Sequence, residues 1–306
     1  MKDSKNKAGY SILTYKGMIY VAIAGMIFGA FPVFTSLFVL SGGNTDSFNF
    51  LGFLLSTILL IPIIIYRKTG FRLPKKAMIF VILAGIANVI TRVLLTKSYL
   101  YLDVGVSTTL HFLYPIITAF LSFIIFKDRM PVYKWIVFAV ACLSVSLFIT
   151  GSSGEGSITG VILAVASSFG FASYMLIEEK AGLTGYDPFV ILFYVTLVSC
   201  VGAFVFGLGS GELFAPIPAK AWVILFIVAL VNNILGFALQ LEGIKYLGAA
   251  MTAIFSLFEP IFSCIFGAVF LHEEMGARSV LGIVLILVSL LDVILLDNKY
   301  GNVQNE

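Results

Sequence analysis

The sequence predicts an all-α membrane protein with ten transmembrane helices, arranged as two inverted five-helix repeats with the N- and C-termini in the cytoplasm. Three observations predict this fold class: a composition of 60% hydrophobic and 11% charged residues, ten long apolar runs, and a similarity between the two halves of the chain. Soluble domains carry about 25% charged residues. This chain therefore has too few charges to cover a surface that faces water.

The composition also bounds the expected partners. The net charge of +3 is small, and most of the charges fall between the apolar runs, which argues against nucleic acid. The three cysteines lie inside apolar runs, where their spacing predicts neither a disulfide framework nor a metal site. The sequence contains no G-x-x-x-x-G-K-[ST] loop, so ATP hydrolysis is not expected, and no cofactor is expected. The expected partners are a small-molecule substrate and the bilayer, with protons or a counter-substrate and an oligomeric state left open.

Ten apolar runs mark the expected spans, since a helix needs about 20 apolar residues to cross a bilayer. The first run follows a lysine-bearing stretch, but its 24 residues exceed a signal-peptide core of about 7–15 residues. The runs are continuous rather than alternating, which favours helices over a membrane barrel. The spans are expected near residues 17–40, 48–66, 77–98, 104–126, 132–150, 157–178, 188–208, 220–242, 248–271 and 278–296.

Lysine and arginine indicate the orientation, because they accumulate in cytoplasmic loops. With the N-terminus inside, fifteen of these residues fall on the cytoplasmic side, and Lys97, Lys220 and Arg278 fall on the other. Arg92 lies within a span. The distribution predicts that both termini are cytoplasmic, as in a multi-pass protein of the cell membrane.

The two halves match at an offset of 145 residues. Residues 101–130 and 246–275 share 5 identities in 30 positions, which means little among apolar residues, but the special residues also agree. The matching pairs are Pro115 with Pro260, Asn88 with Asn233, Asp128 with Glu273 and Met130 with Met275. Five spans per unit is an odd number, so the second copy enters the membrane from the opposite side. The predicted units are repeats at 1–150 and 157–296, followed by a cytoplasmic tail at 297–306.

Polar residues recur at steps of three and four in four of the spans, which places them on one face of each helix. In lipid such faces turn towards the bundle or a watery cavity, because an ionised group at the bilayer centre is costly. Inverted repeats are typical of transporters that bind substrate near the midplane. The candidate substrate-binding residues are Asn88, Arg92, His111, Tyr114, Tyr174, Asn233, Gln240 and Glu259.

Two of these residues, Glu259 and His111, are also candidates for proton coupling. Glu259 precedes Pro260, whose ring removes a backbone hydrogen bond, and an unperturbed histidine titrates near pH 6.5. Alternatives remain open at this point. Arg92 and Glu259 could form a structural ion pair, and His111 could be a packing histidine.

Two stretches resemble a known family. They are Tyr101–Met130 and Tyr246–Met275, each with a small-residue run, an apolar-x-Pro and an acidic residue that closes the helix. With ten spans and cytoplasmic termini, the chain resembles the EamA-like branch of the drug/metabolite transporter superfamily over nearly its whole length. One departure is Phe28-Gly29, where the family often has Trp-Gly in its first helix; the repeat counterpart is Phe171-Ala172.

The resemblance implies alternating-access transport of small metabolites or drugs, often as export, driven by protons or by exchange. Family substrates range over amino acids, purines, amines and nucleotide-linked sugars. The expected function is therefore a secondary-active exporter of small metabolites such as amino acids, amines or related compounds, and not an enzyme. The alternative is a membrane-embedded enzyme or receptor with a small-molecule site, and a purely structural partner is a third hypothesis.

Overall fold

A computed structural model describes residues 2–127, 136, 155–211, 213, 216–256, 258–272 and five positions between 280 and 288. Within these residues the structure is helical and has no strand. Predicted spans 5 and 10 lie outside the described residues except at these few positions, and the tail at 297–306 and the acidic residues Asp128 and Glu273 lie wholly outside them. The helices are α1 (Lys2–Leu40), α2 (Thr45–Arg67), α3 (Lys75–Ser98), α4 (Val104–His111), α5 (Tyr114–Phe126), α6 (Glu155–Lys180), α7 (Pro188–Leu208), α8 (Ala219–Ile227), α9 (Phe237–Leu247), α10 (Ala249–Phe255) and α11 (Phe258–Phe270).

Seven helical segments in the described part of the chain are long and apolar enough to cross a membrane. They correspond to predicted spans 1 to 4 and 6 to 8. The segment for span 4 comprises α4 and α5, and the segment for span 8 runs from Ala219 to Leu247. Predicted span 9 is present as α10 and α11, neither of which is long enough to cross by itself. The chain is therefore a multi-pass helical membrane protein.

Local signals in the sequence begin and end these helices. The Asn44 side chain accepts a hydrogen bond from the backbone N–H of Ser47 and caps the start of α2, as short polar residues commonly do. Asp187 caps α7 in the same way, and Pro188 occupies the first turn, where its missing N–H costs nothing. Lys68 ends α2 in the left-handed conformation with φ of 56°. Each cap lies at a predicted loop.

Two helices are broken at corresponding places in the two halves. Span 4 is interrupted between His111 and Tyr114, and span 9 between Phe255 and Phe258. Shifted by 145 residues, the bounds of α4 and α5 fall within one residue of those of α10 and α11. In both cases the second piece begins with a proline in its first turn, which removes a donor from the helix. The breaks place His111, Tyr114 and Glu259 beside interrupted backbone.

Span 8 carries a different irregularity. Between α8 and α9, Val228–Gly236 forms a π-helix, whose turn is wider than that of an α-helix and which is frequent at functional sites. This stretch contains Asn232 and Asn233. Its repeat counterpart, the middle of α3, is regular α-helix.

The two halves pack against each other in a reciprocal way. Helix α1 packs on α9 and α11, while α6 packs on α3, α4 and α5. A methyl group added at Gly17 would lie 2.9 Å from side-chain atoms of Tyr246 and Leu247, and one added at Gly160 would lie 2.8 Å from Tyr101 and 2.6 Å from Leu102. Tyr246-Leu247 and Tyr101-Leu102 are 145 residues apart, and Gly17 and Gly160 are 143 residues apart, so the two contacts correspond to each other in the two halves. The first helix of each half thus lies directly on the other half.

Helix α3 shows how the bundle separates lipid from the interior. The residues Ile79, Ile82, Leu83, Ile86 and Ile90 follow a helical period, and all five side chains are exposed. The opposite face, which includes Asn88 and Arg92, is buried. The apolar stripe faces the surroundings and the polar stripe faces the interior, as expected for a helix at the rim of a membrane bundle.

Candidate substrate-binding site

A cavity lies where both halves of the chain meet. It is lined by aromatic side chains and by a small set of polar and charged groups, the usual composition of a small-molecule site. The centres of water molecules can occupy a volume of about 40 Å³ in the cavity. On the same measure one buried water needs about 10–15 Å³. Its lining residues are Phe28, Phe31, Asn88, Thr91, Arg92, Leu95, His111, Phe171, Asn232, Phe237 and Glu259.

Arg92 projects from α3 and is 7% exposed. Its Nη2 atom donates hydrogen bonds to Oδ1 of Asn233 at 2.7 Å and to Oδ1 of Asn232 at 3.3 Å. The guanidinium carbon lies 4.0 Å from the centre of the Phe31 ring, a cation–π distance. No carboxylate lies within ion-pair distance of Arg92 in the described part of the chain. The structural ion pair with Glu259, one of the open alternatives, is therefore not formed in this structure.

Glu259 lies in the first turn of α11 and is buried. The Tyr114 hydroxyl reaches one of its carboxylate oxygens at 3.5 Å, the upper limit for a hydrogen bond. Tyr114 is itself fully buried and packs edge-on against Phe171, with ring centres 4.6 Å apart. Arg92 and Glu259 therefore line one cavity as separate charges of opposite sign.

His111 ends α4 and faces the same cavity. Its Nδ1 atom lies 2.8 Å from the Ser167 hydroxyl on α6. This is a hydrogen bond that a packing histidine, one of the open alternatives, would make. The ring also contacts Tyr114 and Phe171, with ring centres 5.5 Å and 5.4 Å away. Since Nε2 is not used in that hydrogen bond, His111 keeps one ring nitrogen for another group.

The two repeat-related asparagines, Asn88 and Asn233, make hydrogen bonds around the site. Asn88 lines the cavity, and its Oδ1 accepts a hydrogen bond from Ser199 at 3.2 Å. Asn233 bonds to Arg92 and also donates to Ser56 at 3.0 Å and to the Gly52 carbonyl at 3.3 Å. It lines a smaller neighbouring cavity instead. Asn233 therefore positions Arg92 rather than facing the main cavity.

The other two candidate residues are buried but do not line the main cavity. Tyr174 stacks against Phe171 at a ring-centre distance of 5.9 Å, one turn further towards the end of α6. Gln240 is 1% exposed, and among the described residues neither polar atom of its amide has a hydrogen-bond partner. All eight candidates are thus buried; the structure brings Asn88, Arg92, His111 and Glu259 together at the cavity, and Tyr114 and Asn233 contact that group.

Asn232 is not among the substrate-binding residues predicted from the sequence. In a regular α-helix consecutive residues point about 100° apart, so the side chains of Asn232 and Asn233 would not both reach the same group. The π-helix brings both side chains to Arg92. Two adjacent asparagines in an apolar run were the signal that could have indicated this.

Glu178 was missed as well. It is fully buried on α6, and its one polar neighbour in the described structure is the hydroxyl of Tyr174, one turn earlier, which lies outside strict hydrogen-bond geometry. Because Glu178 is the last residue of predicted span 6, beside Glu179 and Lys180, its position in the sequence indicated a helix end. Burial of this group is decided by how α6 packs on its neighbours.

The cavity is also lined by the residues at which the sequence departs from the family pattern. Phe28 of α1 and Phe171 of α6 are related by the repeat, and both pack against Phe237, with ring centres 5.0 Å and 6.5 Å away. In the part of the chain that the structure describes, no group of three or more histidine, cysteine or acidic side chains could hold a metal ion. A buried aromatic cavity with separated charged residues in a helical membrane bundle is typical of a small-molecule binding site.

Comparisons with known proteins agree with this class. Residues 15–150 and 158–295 both match the EamA-like transporter family. The chain therefore belongs to this family. It is 24% identical over 275 residues to solute carrier family 35 member G1 of Homo sapiens, covering 84% of this chain and 73% of that protein. It is also 24% identical over 204 residues to the uncharacterized transporter sll1319 of Synechocystis sp., covering 65% and 61% of the two chains.

A solved crystal structure shares the fold, with a TM-score of 0.66 and 13% sequence identity over 90% of this chain and 95% of the other. The relatives are named as transporters. The chain is therefore a multi-pass membrane transporter that handles a small molecule.

Proposed function

We propose that this chain is a secondary-active exporter in the cell membrane that carries a small metabolite, such as an amino acid, an amine or a related compound, by alternating access. The observation that carries the proposal is the cavity itself. It holds an arginine and a glutamate that are both buried and do not pair with each other. A structural role would favour a direct pair between such costly groups, whereas a transport site keeps them for substrate and protons.

The arrangement of the helices around the cavity supports alternating access. Its walls come from α1, α3 and α4 of the first half and from α6, the π-helix, α9 and α11 of the second, so rocking of one half against the other would reshape it. The space of about 40 Å³ suits a few waters rather than a metabolite. Substrate therefore enters a wider state than the one described here.

The reciprocal contacts of Gly17 and Gly160 support the rest of the proposed architecture. They are the contacts that a two-fold axis between inverted halves would generate, with repeats at 1–150 and 157–296, ten spans and cytoplasmic termini. The apolar outer face of α3 supports the membrane location. An oligomeric state is not needed for this arrangement.

We propose Glu259 as the proton-coupling group, with His111 as the second candidate. Tyr114 contacts Glu259 with a single hydroxyl, and no cation pairs with the carboxylate in the described structure. Glu259 can therefore exchange a proton with the cavity without breaking an ion pair. Export would follow if protons loaded from outside exchange for substrate from inside.

The experiment compares wild-type protein with Glu259→Gln in liposomes that contain a pH-sensitive dye. A panel of amino acids, amines and nucleosides is first screened by thermal shift on purified protein, and compounds that bind are then tested for flux. We expect a substrate-dependent proton flux in wild type, and none in Glu259→Gln, which is nearly isosteric and should still bind.

The matched control is Glu242→Gln, which makes the same change at a partly exposed residue paired with Lys245. The control should behave as wild type. Equal proton flux in wild type and Glu259→Gln would remove Glu259 as the coupling site. Chemical conversion of a bound compound by purified protein, without flux, would favour the enzyme alternative.

A further inference from the structure

The guanidinium of Arg92 makes only part of the bonds that it can make. An arginine has five N–H donors, and both hydrogen bonds of Arg92 in this structure leave from Nη2. The two acceptors are neutral amide oxygens. Nε and Nη1 have no hydrogen-bond partner in the described protein, and the residue faces the cavity. Nε and Nη1 thus remain as two separate donors, on different edges of the guanidinium, for whatever occupies the cavity.

Asn232 adds a second, independent donor at the same place. Arg92 can only donate hydrogen bonds, so the oxygen of the Asn232 amide must face it. The Nδ2 group of Asn232 is then directed elsewhere; it is buried and has no hydrogen-bond partner in the described structure. A buried donor without an acceptor destabilises the structure that contains it. Asn232 also lines the cavity, so a ligand can supply the missing acceptor.

The donors and the charge of the cavity together indicate the chemistry of the ligand. An N–H donor of the charged guanidinium forms a charge-assisted hydrogen bond with a carboxylate oxygen, which is stronger than one with a neutral acceptor. Arg92 is the one arginine or lysine among the described lining residues, and Glu259 adds a negative charge when ionised. This balance suits a group with one negative charge better than a dianionic phosphate. The aromatic walls, with Phe31 stacked on the guanidinium, suit an apolar body.

We infer that the cavity binds its ligand as a small carboxylate, held by Arg92 and the Asn232 amide, with its apolar part between the phenylalanines. The inference rests on the proposed function in so far as this ligand is the transported substrate. It narrows the substrate class from small metabolites in general to carboxylic acids, including amino acids. An amino group on the ligand would meet Glu259 in the same cavity.

The test measures binding to purified protein in a maltoside detergent, which keeps lipid phosphate away. The probes are matched acid and amide pairs of increasing size: acetate and acetamide, benzoate and benzamide, 3-phenylpropionate and 3-phenylpropionamide. Phenyl phosphate tests the dianionic alternative. At least one acid should bind, and each acid that binds should be preferred over its amide. Arg92→Gln should weaken acid binding by about 10- to 100-fold, because a charged hydrogen-bonded contact is lost.

A second variant keeps the inference falsifiable if Arg92→Gln does not fold. Asn232→Asp supplies from the protein the carboxylate that the ligand would otherwise bring. It should abolish acid binding while the melting temperature of the unliganded protein stays equal or rises. The control is Arg72→Gln, which removes the same charge from an exposed loop residue and should leave acid binding unchanged.

Several outcomes would overturn the carboxylate site. They are binding of an amide as tight as that of its acid, tighter binding of phenyl phosphate, acid binding that survives both Arg92→Gln and Asn232→Asp, and the failure of every acid to bind. Flux measurements separate this inference from the proposed function. Acid binding without flux would refute the proposed export function and leave the carboxylate site supported. Flux of amines without acid binding would refute the carboxylate site and leave the proposed export function supported.

Discussion

Replacement of Asn233 by alanine should destabilise this protein more than the loss of an ordinary buried asparagine. Asn233 joins three elements: it accepts from Arg92 of α3 and donates to Ser56 and to the Gly52 carbonyl of α2. A hydrogen bond to a charged group contributes about 1.5–3 kcal/mol, and a neutral one between membrane helices about 0.6 kcal/mol. One charged and two neutral bonds sum to about 3–4 kcal/mol.

Asn49→Ala is the matched control, because Asn49 is also buried in the bundle but makes one neutral hydrogen bond, to Thr96 at 2.8 Å. Its oxygen has no partner in the described structure. The expected loss is below about 1 kcal/mol. Both variants carry the same change of side chain, so differences in helix propensity and volume largely cancel.

The measurement is the apparent melting temperature of purified protein in detergent, together with the fraction that elutes as a single species on size exclusion. Asn233→Ala should lower the melting temperature several times further than Asn49→Ala. A double variant, Asn233→Ala with Arg92→Gln, should lose less than the sum of the two single changes, because both remove the same bond. Equal melting temperatures for the two asparagine variants would refute the view that Asn233 anchors Arg92.

Two further predictions concern packing and burial. Gly29→Ala should destabilise the fold by about 1–3 kcal/mol, because the new methyl group would lie 2.8 Å from the carbonyl oxygen of Glu259 and 2.7 Å from Phe262. The control is Gly185→Ala, whose methyl group would meet nothing within 4 Å and which should leave the melting temperature unchanged. Similar melting temperatures for the two variants would contradict the close contact at Gly29. Glu178→Met should raise the melting temperature, because it removes a buried carboxylate whose one polar neighbour among the described residues is the Tyr174 hydroxyl. A lower melting temperature would show that the carboxylate stabilises the fold.

The polar stripes illustrate what could be predicted from the sequence. Steps of three and four residues decide which side chains share a helix face, and the cost of polar groups in lipid decides that this face turns inwards. For this reason, all eight candidate residues are buried. The breaks at spans 4 and 9 follow from Pro115 and Pro260, whose effect on the helix is local.

The pairing of Arg92 illustrates what could not be predicted. A stripe does not give the distance between two helices, so the sequence left open whether Arg92 meets Glu259. In the structure Arg92 bonds to two asparagines instead. Periodicity assumes a regular α-helix, and the π-helix at Val228–Gly236 departs from it, which is why Asn232 was overlooked.

The sequence by itself determined the class of the protein, its helical segments and the inward faces of those helices, because hydropathy and helical period act over a single turn or a single span. Tertiary structure alone decided which inward-facing groups meet. It buried Glu178 at what the sequence suggests is a helix end, and it placed Phe28 and Phe171 from opposite halves around one cavity. The physical reason is that the separation and rotation of packed helices depend on contacts between residues far apart in the chain, such as Gly29 against Glu259, which no local pattern encodes.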